Sequence, residues 1–493
     1  MPSVTDPSAT PDSGTRPLVL SPFPGVRYDP DRVSDLAAVT SPPYDVLDPG
    51  SVAALTAEEP HNIVRVVLPL PAGPADWTSD ERSGPGDGGP CTGRDDSPRA
   101  GERGQPGEPG EPGEPGEPGE PAENDRADHG GGAGPQVRPE TDHYRRAAEL
   151  LNRWRAEGIL RADTEAALYV YEQRVPESGE PGSAPFVLRG MFGAVELREP
   201  EERVILPHED VMPGPVADRL ALMSACEANL EPILLVYDGG GPASDLVETT
   251  VRGEPLVNAR TADGVDHLMW RITDPDALST IAADLAPRQA LIADGHHRYA
   301  TYLKLQRQIR ATGAGPGPWD SGLALLVDQR AHPLRLTAIH RTVAGITLAD
   351  LLSRAAAQFT VESFGDADRA HAALAAAHGR RNAFVVTDGI RWELLSTPAE
   401  TTSGRIRLDT EMLHEQLFGQ VLGLAEEQIG YAHSEPAAVE HARQGNGVAV
   451  LLNPVDVTTV QAVAREGGRM PRKSTSFGPK PRTGFVMRMF DQH

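Results

Sequence analysis

Between Pro71 and Glu140 the chain is written almost wholly in Gly, Pro, Glu, Asp and Ser, and Gly104 to Pro121 is a near-perfect Pro-Gly-Glu repeat. Such a stretch has too few apolar side chains to offset the entropy of ordering it, so it buries no core. Glycine recurs every third residue, but the triplets are few and nearly all carry a glutamate. That is too short and too acidic for an independent collagen helix. Residues 71–140 are therefore expected to form a disordered insert and 1–20 a disordered N-terminus. A folded body must be assembled from 21–70 and 141–493 across the insert.

The insert also distorts the composition. Between Asp76 and Glu140 it holds 16 acids and 6 arginines, which is −10 of the formal net charge of −25. The remainder is only moderately acidic, with no basic stripe of the kind that coats nucleic acid or anionic lipid. No run of 18 apolar residues occurs, and Met1 to Arg16 lacks a basic region followed by an apolar core, so a cytoplasmic protein is expected. Cys91 and Cys226 are isolated, which argues against a disulfide framework or a zinc ribbon.

The periodicity predicts a mixed α/β body. Tyr144 to Glu157 is patterned as an amphipathic helix, and Ala166 to Val175 with Phe186 to Glu196 as a hairpin. Apolar strand-like runs at Pro232 to Tyr237, Gly322 to Val327, Ala383 to Thr387 and Gly447 to Leu452 alternate with helical patterns. These helices are expected at Asp276 to Leu285, Leu348 to Phe359, Ala367 to His378 and Glu411 to Leu422. The β-branched run Asn62 to Leu68 predicts a strand, and Pro42-Pro43 an extended turn.

Chemistry is concentrated at Ala293 to Ala300, Ala-Asp-Gly-His-His-Arg-Tyr-Ala, where the apolar run Gln289 to Ala293 turns into a helical stretch continuing past Lys304. A helix opened by glycine offers free backbone N–H groups and the positive end of its dipole, which suit a phosphate. Asp294 stands where it can hold a metal or fix a histidine tautomer. Neighbouring His296 and His297 point about 100° apart on a helix, so they do not chelate one ion together.

Pro207-His208-Glu209-Asp210 and Asp218-Arg219-Leu220 place a histidine, acids and an arginine in one polar stretch. It fits either a base or metal ligand, or a solvated loop with Asp218 capping a helix to Ala228. Gly239-Gly240-Gly241 lacks the order of a dinucleotide turn, and no proper helix is expected after it. His414-Glu415 lacks the second histidine of a zinc-protease helix and is expected on the solvent side of its helix.

The chain has only three lysines, Lys304, Lys473 and Lys480, against 43 arginines. A lysine kept on that background marks a place where a compact ammonium is needed, such as a phosphoryl group, unless it is an exposed lysine retained by chance.

The strings Phe23 to Tyr28, Pro42-Pro43-Tyr44-Asp45-Val46, Asn62-Ile63-Val64-Arg65, Tyr169 to Gln173, Pro207-His208-Glu209, Asp218-Arg219-Leu220, Ala293 to Tyr299 and Lys473-Ser474-Thr475 together resemble the domain of unknown function 1015 family. Its members are often labelled ParB-like. Asp294-Gly295-His296-His297-Arg298 is similar to the phosphate-gripping box of the ParB and sulfiredoxin fold and to that of free serine kinases built on it. The catalytic cysteine of sulfiredoxin is replaced by His296, and a ParB-type helix-turn-helix is not evident. Ser476 stands where family members carry a tyrosine.

The resemblance implies a ParB/sulfiredoxin-like nucleotide-binding core with an additional mixed-sheet region. It also implies phosphoryl transfer from ATP or ADP with Mg²⁺ to a small hydroxyl metabolite, with a serine-like amino acid as the leading acceptor. Gly295, His296, His297, Arg298 and Arg219 would bind the nucleotide phosphates. Glu209, Asp294, His297 and Lys473 would be catalytic, with Asp294 or Glu209 holding the metal. The alternatives are a nucleotide-binding regulatory or ParB-like protein without an acceptor, and a protein that only binds a phosphometabolite. Nucleic acid and membrane are not expected partners, and the oligomeric state is left open.

Overall fold

Every residue of Ile233–Tyr237 is apolar, and in the computed structural model its side chains enter two cores by turns. Ile233, Leu235 and Tyr237 join one, Leu234 and Val236 the other. Ala290–Asp294 and Ser321–Asp328 do the same, with Ile292 and Leu326 on the first face and Leu291 and Leu325 on the second. A strand covered on both faces has no need of polar alternation. The structure describes residues 16–70, 142–176, 185–398, 401–402 and 405–491. The expected insert and residues 1–15 of the expected tail lie outside that range, whereas Leu18 and Leu20, expected in the tail, are buried in the first core. Residues 16–70 and those from 143 onward belong to one unit.

The three strands lie together in a nine-stranded mixed sheet. Its order is Ile205–Leu206, Ala290–Asp294, Ile233–Tyr237, Ser321–Asp328, Phe186–Glu196, Leu168–Val175, Asp266–Ile272 and Val257–Arg260, with Leu20–Ser21 joined to Phe186–Glu196. Two of the neighbour pairs, Ala290–Asp294 with Ile205–Leu206 and Ser321–Asp328 with Ile233–Tyr237, are parallel. The expected hairpin is present as Leu168–Val175 against Phe186–Glu196. Helices Pro213–Cys226, Pro242–Thr250, Pro275–Leu285 and His296–Ala311 supply residues of the first core. Three of them start with proline, whose missing N–H and preset φ suit the first turn.

A second sheet of six antiparallel strands follows, ordered Thr360–Phe364, Trp392–Pro398, Arg381–Thr387, Val448–Leu451, His340–Val343 and Ile429–Ala432. Helices Leu348–Ala355 and Leu413–Leu422 pack on one face, and Ala367–Ala377 with Glu435–Gln444 on the other. The chain then returns to the first sheet. Ser476–Gly478 pairs with Arg335–Thr337, Thr483 bridges Ser41, Met487 bridges Val26, and Arg488–Met489 pairs with Ala228–Asn229. This return laces the C-terminus across the N-terminal segment and carries both late lysines to the edge of the first sheet.

Several expectations are corrected. The run at Asn62 to Leu68 is a short helix, Val64–Val67, whose three valines are fully buried; core packing overrides the strand preference of β-branched residues here. The helix expected from Asp218 begins five residues earlier at Pro213, so Asp218 caps nothing. A helix does follow Gly239 to Gly241, and Gly240 N–H is held by Ser244 and Asp328. Glu411 to Leu422 divides into Asp409–Met412 and a wider π-helical coil, Leu413–Leu422. No helix among the described residues is long and apolar enough to cross a membrane.

Candidate functional site

The strand Ala290–Asp294 shifts register against Ile233–Tyr237 between Ile292 and Asp294, and Gly295 follows with φ of +90°. The irregularity re-aims the end of the strand. Gly295 then takes a left-handed conformation in which a Cβ would lie 2.9 Å from Ile233 Cγ2, so only glycine fits. The helix His296–Ala311 starts there with no side-chain cap and no acid in its first turn. Its first amides are left to other acceptors.

Behind this turn lies a cluster of three carboxylates and three cations. Asp294 Oδ2 accepts from Arg298 Nη2 at 2.6 Å, and Oδ1 faces Lys480 Nζ at 2.6 Å. Lys480 also pairs with Asp45. Arg298 donates to the Pro232 carbonyl and lies with Arg219 against the Tyr44 ring. Glu231 accepts from Tyr44 N–H and Thr483 Oγ1, with Arg219 at 3.9 Å. Burial opposes the charges of Arg298 and Lys480, but the carboxylates outweigh it and hold both pKa values above their ordinary range. Asp45 is likewise pushed up by burial, yet Lys480 and Arg298 bring it below the usual carboxylate value. Burial wins at Glu231, whose pKa is raised against the pull of Arg298 and Arg219. Both hydrogen bonds described at Glu231 are donated to it, so the geometry still fits the carboxylate. One oxygen of the cluster, Asp45 Oδ1, is buried and has no hydrogen-bond partner.

The rim is formed by the Pro207–Asp210 loop and the returning segment. Glu209 Oε1 accepts from Thr475 N–H at 3.1 Å and Thr475 Oγ1 at 2.7 Å, and Met470 N–H donates to the His208 carbonyl at 2.8 Å. Burial raises the Glu209 pKa, against the hydrogen bonds from Thr475 and the charge of Lys473. Lys473, held left-handed at φ of +56°, acts electrostatically on Glu209, Asp45, His297 and His433. His297 Nε2 accepts from Met212 N–H at 3.0 Å, which leaves Nδ1 carrying the proton as a donor. His296 turns the other way, its Nε2 facing His208 N–H at 3.4 Å, and burial keeps its pKa well below normal.

The residues singled out from the sequence thus divide. Gly295, His297, Glu209 and Lys473 border the opening of the helix. Arg298 and Arg219 are each 5% exposed and bound within the ionic cluster, so neither guanidinium reaches out to a phosphate. His296 is packed against the His208 ring. Asp294 has an oxygen on each of two cations, and the described residues contain no group of three or more His, Cys, Asp or Glu side chains able to hold an ion. Of the two carboxylates expected to carry Mg²⁺, Asp294 is therefore engaged by Arg298 and Lys480. His414, expected on the surface, accepts instead from the buried Arg341 at 3.2 Å. Asp45, Glu231, Lys480, Thr475 and His433 were not singled out for the site, and His208 only as a member of a polar stretch that fits a base or metal ligand. Only the scarcity of lysine pointed toward Lys480.

Fold and site together define a mixed α/β protein with two large sheets and a buried ionic cluster beneath an open helix start. The chain belongs to the family described as "Protein of unknown function (DUF1015)", whose model matches residues 20–82 and 131–411. Lys473, Thr475 and Lys480 lie beyond the matched segments. No curated protein matches the chain. Among solved structures it is similar to a free serine kinase in complex with ADP, at 15% identity and a TM-score of 0.34 over 65% of this chain and 99% of that one. SbnI with a C-terminal truncation from Staphylococcus aureus matches at 13% identity and a TM-score of 0.32, over 60% and 87%. A conserved hypothetical protein from Pyrococcus furiosus matches at 14% and 0.32, over 61% and 96%. These likenesses are weak, and the site has to be read from its own residues.

Proposed function

We propose that the protein is a nucleotide-dependent phosphotransferase acting on a small hydroxyl metabolite, with a serine-like amino acid as the leading acceptor and a ParB/sulfiredoxin-like core as its scaffold. The observation that carries this reading is the convergence of Lys473, Glu209 and His297 on the uncapped helix start behind Gly295. Backbone amides and the helix dipole suit phosphate oxygens, and Lys473 adds a compact positive charge. Glu209, whose pKa is raised by burial, suits a base that takes the acceptor's hydroxyl proton, while His297 donates from Nδ1 to a phosphate oxygen. Arg298 and Lys480 serve at one remove, by fixing Asp294 and Asp45 beneath the turn. ATP or ADP is the expected donor, and no step is assigned to a protein-held metal.

A second reading, a phosphometabolite-binding protein without transfer, is favoured by the engagement of both Asp294 oxygens. Calorimetric titration with ATP, ADP, AMP and inorganic phosphate tests the common ground. The phosphotransferase reading expects a nucleotide to bind more tightly than phosphate, with affinity lowered in Lys473→Met. Binding of phosphate alone would favour the second reading, and binding of neither would end both.

A further inference from the structure

One chain of hydrogen bonds on the rim has a direction. Thr475 Oγ1 lies 2.7 Å from Glu209 Oε1 and 2.8 Å from His208 Nε2. A threonine hydroxyl has one proton to give. Glu209 Oε1 already accepts the backbone N–H of Thr475, which marks it as the acceptor end, so the hydroxyl proton goes to Glu209. His208 must then donate from Nε2–H, and Nδ1 is left without a proton. The Ile292 carbonyl beside Nδ1 is the rival acceptor for this one ring proton, but Nδ1 has no hydrogen bond of acceptable geometry, whereas Nε2 lies 2.8 Å from a hydroxyl whose own proton is committed to Glu209. The His208 side chain is wholly buried, and burial pushes its pKa down to about 3, so the ring is neutral. It is clamped by Phe477 and His296, with ring centroids at 5.8 and 4.5 Å, and by its own backbone bond to Met470.

We propose that Thr475, backed by the Nε2–H tautomer of His208, is a positioning residue that fixes Glu209 as an acceptor-only carboxylate: Thr475 holds Oε1, the backbone N–H of Lys473 also donates to the carboxylate, and the group is kept in one rotamer beside the helix start. The charged groups facing Glu209 are consistent with this. Lys473 and the buried Arg341 are cations near it, His208 Nε2 is 4.0 Å away, and Arg469 stands nearer Asp210. The arrangement separates two tasks that a lone buried carboxylate performs poorly: staying ionised and keeping one rotamer. It rests on the phosphotransferase reading only for what Glu209 then does.

Nitrogen-15 spectra of the His208 imidazole in the full-length protein test it without substrate, with the signal assigned by its loss in His208→Asn. Wild type and Thr475→Ser should carry the proton on Nε2. In Thr475→Val no acceptor remains there, and the proton should move to Nδ1 toward the Ile292 carbonyl. If an acceptor substrate is in hand, Thr475→Val should lower kcat by about 10- to 100-fold with nucleotide affinity kept, and Thr475→Ser should restore it. Absence of turnover in the wild type would remove the kinase reading and leave the tautomer result to decide this one. An Nδ1–H tautomer in the wild type, or an unchanged tautomer in Thr475→Val, overturns the proposal.

Discussion

Burial raises the pKa of Glu209 even though Thr475 and Lys473 pull it down. The unfolded chain therefore gives up this proton first, and stability is lost as pH rises from the ordinary carboxylate range through the raised folded value. Glu209→Gln keeps an oxygen for Thr475 and removes the buried charge. Its melting temperature at pH 8 should exceed that of the wild type by about 1 to 3 °C, with the gain disappearing below about pH 4, as calorimetry across pH will show. Equal melting at pH 8 would mean that the carboxylate is solvated. Arg298 behaves oppositely. From the sequence it was expected to bind a nucleotide phosphate, but it sits between Asp294, Glu231 and Asp45. Arg298→Ala should destabilise the protein by about 3 to 5 kcal/mol in urea denaturation, because charges are left buried and unpaired.

The element on which the site depends is the strand, glycine and helix at Ala290 to Ala311. Gly295→Ala should combine left-handed strain with a clash at Ile233, costing about 1 to 2 kcal/mol from the backbone alone, and should weaken nucleotide binding. Wild-type affinity in a folded Gly295→Ala protein would place the ligand elsewhere. This element was legible in the sequence because its signals are local: an apolar run, an acid, a glycine and a helical pattern in ten residues. The partners were not. Thr475 and Glu209 are 266 positions apart, and nothing in either string announces their hydrogen bond. Asp45 stood in a recognisable string without an evident role and His208 in a stretch that fitted a base or metal ligand, since an unpaired oxygen or a fixed tautomer exists only once the fold has chosen the neighbours. The direction of Arg298 was equally hidden, because a polar residue at a helix start can face a ligand or an internal acid. The misread helix at Val64–Val67 shows the limit of short β-branched runs, where four residues cannot carry a period.

At the scale of the whole molecule, the first sheet holds the helix start, and the returning segment delivers Lys473, Thr475 and Lys480 after the second sheet is complete. The site therefore cannot form until the C-terminal strands are in place on the N-terminal segment. The low-complexity segment should be dispensable on composition alone: joining Pro74 to Pro139 by deletion of Ala75 to Arg138 should move the melting temperature by no more than about 2 °C, since loop-closure entropy changes slowly with length. A larger fall would show that the segment supports the body. The central claim, that Glu209 and Lys473 act on a phosphoryl group held at the Gly295 turn, is tested most directly by phosphorus-31 NMR of nucleotide turnover with hydroxyl amino acids as acceptors. The spectra should show acceptor-dependent phosphate-ester formation by the wild type and none by Glu209→Gln. Lys473→Arg should bind the nucleotide but turn it over far more slowly. Unchanged ester formation in both variants, or nucleotide consumption that does not depend on any acceptor, would contradict the account.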